Sequence, residues 1–196
     1  NQSRRQRQMC IRDSFYDLPN SCAAGMTDSK VPDAQSGAEK GYTLALAAQA
    51  GADLIMESAG MHASLLGANF ESYVIDNDTL GAVQRTVRGI EVNEDTLSFE
   101  VIKNVVNGEG HFLGQDQTME RMETHYFYPN VGDRVSPEDW ADAGSKDVVA
   151  RAREVVRKTL AEHYPTHIDP AIDYKIRENF NILISREEMK PGNGRW

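Results

Sequence analysis

From Phe15 onward, apolar and polar positions alternate between short apolar runs and helical spacing. NSCAAGM (20–26) is a run of mostly small residues that predicts a strand. TDSKVPDAQ follows, where Pro32 and the aspartates Asp28 and Asp33 mark a loop. SGAEKGYTLALAAQAGA predicts a helix capped by Asp33 or Ser36, with Glu39 near its first turn. Its small stripe, Ala38, Tyr42, Ala45 and Ala48, is suited to close packing on a sheet. ADLIMESAG (52–60), entered through Gly51, predicts a second buried strand, and MHASLLGANFESY a loop beyond it. Helical spacing returns at Leu80, Val83, Val87 and Ile90, and again at Leu97, Val101 and Val105. Gly108 and Gly110 end that helix, and HFLG (111–114) predicts a third short strand. A long helix from about Lys146 to His163 turns Val148, Ala152, Val155 and Leu160 inward. DPAIDYKIRENFNILIS predicts one more helix packed outside, and PGNGRW is expected to fray.

The repeated unit is strand, loop, helix, which implies an α/β fold with a parallel sheet and crossover helices. A complete eightfold barrel takes about 250 residues, so this chain of 196 residues would supply only part of one. A doubly wound sheet also stays open, but TDSK after the first strand lacks the glycine fingerprint of a dinucleotide site. No internal repeat or low-complexity segment is evident.

Charge changes the picture at one end. Residues 1–14 hold four arginines and one aspartate, a net +3, while the whole chain sums to −9, leaving −12 on residues 15–196. An acidic chain of this kind is not a general nucleic-acid binder, because phosphate backbones call for a basic surface. The head lacks the apolar core of a secretory signal and reaches Asp13 and Asp17 too soon for a mitochondrial presequence. RRQRQMCIRDS resembles the in-frame translation of a transposase sequencing adapter, and on that reading residues 1–14 are expected to be foreign and the natural N-terminal strands missing. Cys22 is then the one cysteine left, a disulfide framework is excluded, and a reducing, cytoplasmic setting is expected. No run of eighteen or more apolar residues occurs, so no membrane span is expected.

Several motifs are absent or nearly met. There is no GxxxxGK[ST] and no GxSxG elbow. GEGHFLG has Leu113 where the dinucleotide pattern needs glycine, and its glycines precede the expected strand. His163 and His167 are four apart, but Pro165 between them prevents a regular helical zinc pair, and His111 and His125 are scattered, so no metal site is expected.

In parallel barrels the reacting groups gather where strands end and loops begin. Asp28, Ser29 and Lys30 follow the first strand and offer a carboxylate and a cation; the plain alternative is a capping loop with a surface lysine. Glu57 and Ser58 end DLIMES, and a glutamate after the apolar strand residues Leu54, Ile55 and Met56 is expected to be poorly solvated, with a raised pKa. Gln115, Asp116 and Gln117 follow HFL, the alternative being a polar helix start. Phe70 and Tyr73 in one loop, and Tyr126, Phe127 and Tyr128 in another, offer ring faces for a quaternary ammonium or, more plainly, packing between helices.

TDSKVPDAQSGAEK, the small-rich helix after it and AGADLIMESAG together resemble the MttB-type corrinoid methyltransferases, the trimethylamine methyltransferase family. The likeness continues through ESYVIDNDTLGAVQRTVRGIEVNEDTL, GHFLG, YPNVGDR and EDWADAG, from about Phe15 to His163, and is not seen in residues 1–14. The resemblance implies the C-terminal part of a TIM barrel over residues 15–165, with 166–196 a helical tail. It implies transfer of a methyl group from a methylated amine to the Co(I) corrinoid of a separate carrier protein, with no cofactor held directly. A homo-oligomer is expected of the full-length protein, and the 196-residue chain alone is expected to be inactive. Trimethylamine enzymes of the family carry pyrrolysine, which no position here shows, so the chain resembles the pyrrolysine-free type that takes quaternary amines such as glycine betaine. Asp28, Lys30 and Glu57 are the candidates for the chemistry. Phe70, Tyr73, His111, Gln115, Asp116 and Gln117 are the candidates for substrate binding, although many members carry a histidine near the place of Gln117. The competing classes are a Schiff-base lyase using Lys30 and a non-catalytic module that binds a corrinoid protein.

Overall fold

A computed structural model describes residues 15–192. The basic head and the last four residues lie outside that range, and with them the adapter reading and most of the expected fraying. The architecture is mixed α/β, mostly helical with a few short strands.

Two strands form where the small and apolar runs predicted them. β1 (Ser21–Ala23) and β2 (Leu54–Met56) pair in parallel, with Ser21 opposite Leu54, Cys22 opposite Ile55 and Ala23 opposite Met56. A parallel pair needs a crossover, and α1 (Ala34–Gln49) supplies it. Asp33 is the cap, its carboxylate accepting from the Ser36 N–H at 2.9 Å. That backbone bond holds the Asp33 carboxyl below its ordinary value. At the start of the strands, the Asn20 N–H donates to Asp53 at 2.8 Å, and the Asn20 side chain to the Gly51 carbonyl at 3.3 Å.

The inward stripe of α1 is turned relative to the expectation. Ser36, Lys40, Leu44 and Ala47 are buried, whereas Ala38 and Tyr42 are exposed. The reason is electrostatic. Lys40 is accommodated inside because its Nζ lies 2.6 Å from Asp76 of the next helix, with side-chain exposures of 1% and 5%. β2 also departs from a fully buried strand, since Leu54 and Met56 are exposed. Ile55 joins Cys22, Ala24, Leu44, Ala47, Val83 and Leu80 in the core on the covered side.

The expected loop after β2 is an ordered device. β3 (Met61–His62) and β4 (Gly67–Ala68) pair antiparallel around a tight turn at Ala63–Leu65. α2 (Phe70–Arg88) begins ten residues before Leu80. Asn69 caps it, accepting from the Ser72 N–H at 2.9 Å. The helix spacing over 97–105 covers two pieces, α3 (Glu94–Leu97) and α4 (Phe99–Val106), broken at Ser98 with φ 57°.

HFLG is not a strand. Residues 111–114 are an exposed turn leading into α5 (Asp116–His125), because no neighbouring strand pairs with them among the described residues. Beyond α6 (Pro137–Asp142) comes α7 (Val148–Glu162), capped by Asp147 and packed on α2 through the fully buried Ala152. The tail splits into α8 (Pro170–Asn179) and α9 (Arg186–Met189) instead of one helix.

The YPNVGD segment is held by one carboxylate. Asp78 of α2 accepts from the N–H groups of Asn130 (2.9 Å), Val131 (2.7 Å) and Gly132 (3.1 Å) and from the Asn130 amide (3.0 Å). Burial raises the Asp78 pKa, but these donors outweigh it and hold the carboxyl below its ordinary value.

Candidate active site

The C-terminal ends of β1 and β2 face one side, and the loops leaving them touch. Gly25 makes that approach feasible: at φ 92°, a Cβ there would lie 2.7 Å from the Ser58 carbonyl oxygen. The Gly25 N–H donates to the Thr43 hydroxyl at 3.2 Å, which ties the β1 loop to the middle of α1.

Asp28 sits in that loop at the surface, held from two sides. Its backbone N–H donates to Glu39 at 2.9 Å, and the Thr27 hydroxyl donates to the same carboxylate oxygen at 2.6 Å. The Thr27 hydroxyl, with the Gln35 amide and the Asp28 N–H behind it, holds the Glu39 carboxyl below its ordinary value. On the opposite side the Ser64 hydroxyl donates to Asp28 Oδ1. Lys30 is exposed and its ammonium donates to the Asp28 carbonyl at 2.8 Å, so cation and carboxylate belong to one short loop.

Glu57 leaves β2 at φ 62° and is exposed. The desolvation expected from its apolar neighbours is therefore absent, because the strand ends before Glu57 and the backbone turns it outward. Phe70 and Tyr73 lie on the first turn of α2, both part-exposed. Tyr73 covers the β2 loop: a Cβ on Gly60 would come within 2.4 Å of its ring.

The 111–117 group is placed elsewhere. His111 is exposed, with Nε2 3.8 Å from Glu109. Gln115 is the residue before α5, Asp116 is exposed in its first turn, and Gln117 donates to the Asp95 carbonyl at 2.9 Å. The Gln117 contact runs to α3, and Arg121 adds an ion pair to the same Asp95. The expectation that HFL delivers this group at a strand end fails with the strand itself.

Three further residues, for which the sequence alone gives no role, tie these loops together. His62, 3% exposed, has Nε2 2.6 Å from the Ser72 hydroxyl and Nδ1 3.3 Å from the Ser29 carbonyl. Nδ1 therefore carries the proton, and Nε2 accepts from Ser72. Burial, followed by the nearby Lys40 charge, holds the His62 pKa below its ordinary value. Ser72 and Ser64 complete the set. Their signal in the sequence is faint, a histidine and two serines within a polar loop.

No helix among the described residues is long and apolar enough to cross a membrane, and no cluster there has the make-up of a metal site.

Comparison with known proteins identifies the family of the chain. A profile of the trimethylamine methyltransferase (MTTB) family matches residues 7–188, so the likeness enters the basic head instead of starting at Phe15. A glycine betaine methyltransferase of Desulfitobacterium hafniense is 31% identical over 163 residues, 83% of this chain and 34% of that protein. A trimethylamine methyltransferase of Methanosarcina barkeri is 41% identical over 158 residues, 81% and 31% of the two chains. One from Methanosarcina mazei is 37% identical over 175 residues, 89% and 34%. The chain spans about a third of the length of these curated relatives. With nearly its whole length inside the family profile, the chain belongs to the trimethylamine methyltransferase (MTTB) family.

Proposed function

We propose that this chain is the C-terminal part of a TIM-barrel methyltransferase. It takes a methyl group from a tertiary or quaternary methylated amine and passes it to the Co(I) corrinoid of a partner carrier protein. The observation that carries the reading is Asp28, its backbone held by Glu39 and its carboxylate by Ser64, in the loop that follows the C-terminal end of a parallel strand pair, in a chain of this family. Such ends are where barrel enzymes place their chemistry. Parallel sheets occur almost only with both faces covered, and the exposed Leu54 and Met56 supply a face that further strands of a barrel would cover.

The reaction needs little from side chains beyond position and exclusion of water. The C–N bond breaks with its electron pair left on nitrogen, while the methyl carbon bonds to the acceptor. Asp28 and Glu57 supply negative charge toward the ammonium, and Phe70 and Tyr73 supply ring faces that attract it by their quadrupoles. The relatives are named for trimethylamine and for glycine betaine, and both substrates present a nitrogen carrying three methyl groups. Lys30 gives no support to Schiff-base chemistry, since it is exposed and its ammonium already donates to the Asp28 carbonyl.

The test is methyl transfer by the complete protein, supplied with a corrinoid carrier reduced to Co(I), across a panel of tertiary and quaternary amines. Demethylation of at least one is expected, with the 196-residue chain alone inactive. Failure of every amine with an active carrier would overturn the proposal.

A further inference from the structure

The strap between β3 and β4 is built at a cost that the packing of the fold does not account for. Ala63, Ser64 and Leu65 stand at φ 50°, 54° and 74°. L-residues visit this left-handed region singly and rarely, and runs of them are disfavoured. Burial does not hold the run, because Ser64, Leu65 and Leu66 are exposed. Backbone bonds to the β1 loop hold it instead. The Ala63 N–H donates to the Ser29 carbonyl at 2.9 Å, and the Ser64 N–H to the Thr27 carbonyl at 3.1 Å. His62 lies buried beneath, bonded to Ser29 on one side and Ser72 on the other. Strained backbone persists where its surroundings over-determine it, and such places gather at functional sites. What this one delivers is the Ser64 hydroxyl onto Asp28 Oδ1.

We propose that Ser64 is a positioning residue. Its hydroxyl fixes the Asp28 carboxylate in one orientation, occupying Oδ1 and presenting Oδ2 to the cationic head of the ligand. This rests on the loops that follow β1 and β2 forming a methylated-ammonium site, and it names what sets the charge preference there. A trimethylammonium group offers no N–H to steer a carboxylate, so the protein itself must orient the charge. Glu39 fixes the backbone of Asp28, and Ser64 fixes its side chain.

The experiment is calorimetric titration of the complete protein with two probes, glycine betaine and its uncharged-head isostere 3,3-dimethylbutanoate. Ser64→Ala is expected to weaken glycine betaine about tenfold, the scale of one hydrogen bond to a charged group, and to leave the isostere unchanged. Ser64→Gly tolerates the left-handed backbone but lacks the donor, so it should behave as the alanine variant does. Ser64→Asn keeps a donor and accepts positive φ, so it should recover most of the affinity. Equal weakening of both probes, or unchanged glycine betaine affinity in Ser64→Ala and Ser64→Gly, overturns the role of Ser64. A separate arm tests the site: Asp28→Asn binding glycine betaine as tightly as the parent removes the ammonium reading itself.

Discussion

Lys40→Met removes one half of an ion pair that spans α1 and α2. The two charged atoms lie 2.6 Å apart, at 1% and 5% side-chain exposure, and Asp76 also accepts from the Gly60 N–H at 2.7 Å. At an effective dielectric near 20 the gross attraction at that distance is roughly 6 kcal/mol. Methionine restores favourable apolar burial for its own side chain but leaves a buried carboxylate with one backbone donor. Breaking a buried pair from one side costs about 3–5 kcal/mol. For a chain of this size each kcal/mol lowers the melting temperature by about 2–4 °C, so a fall of roughly 6–20 °C is expected. The double change Lys40→Met with Asp76→Leu should recover part of the loss, because no unpaired charge remains. Urea unfolding followed by circular dichroism measures the parent and both variants. A single variant within about 1 kcal/mol of the parent would refute the reasoning, since the pair would then contribute as little as an exposed one.

Asp78→Ala strips three backbone N–H groups of their acceptor and is expected to cost about 2–4 kcal/mol, with faster hydrogen exchange at Val131 as the local readout. Because the folded Asp78 carboxyl lies below its ordinary 3.8, its contribution is present above that value and is lost as pH falls through the lower folded value. His62 has the same sign for a different reason. Burial holds it below its ordinary 6.5, so the unfolded chain takes up the proton first and stability declines as pH drops below about 6.5. Unfolding free energy measured from pH 7.5 downward should show that slope in the parent and lose it in His62→Gln.

The parts of the fold legible in the sequence were those that depend on neighbours close in the chain. Asp33 three residues before Ser36 marks a cap, and the apolar period from about Lys146 to His163 marks α7. β1 and β2 follow from short runs of small and apolar residues bounded by polar residues and glycine. What was lost depends on partners far away in the chain. The buried stripe of α1 includes Lys40, which no apolar period can place, because its warrant is Asp76, 36 residues on. HFLG has the composition of a strand but pairs with nothing among the described residues. The Ser98 break rests on one left-handed serine, which leaves no compositional trace.

The candidate site divides the same way. Asp28, Lys30 and Glu57 lie in the loops that follow the paired strands, while Gln117, in the first turn of α5, reaches Asp95 of α3. His62 and Ser64 were missed because their importance lies in a strained strap bonded to a loop more than thirty residues earlier.

The most direct measurement follows the methyl group itself. The complete protein, a reduced corrinoid carrier and glycine betaine or trimethylamine labelled with carbon-13 in the methyl groups are mixed, and the label is traced. Label on the corrinoid with release of the demethylated amine, greatly slowed in Asp28→Asn, is the predicted result. Label that stays on the amine in the presence of an active carrier, or transfer that Asp28→Asn leaves untouched, contradicts it.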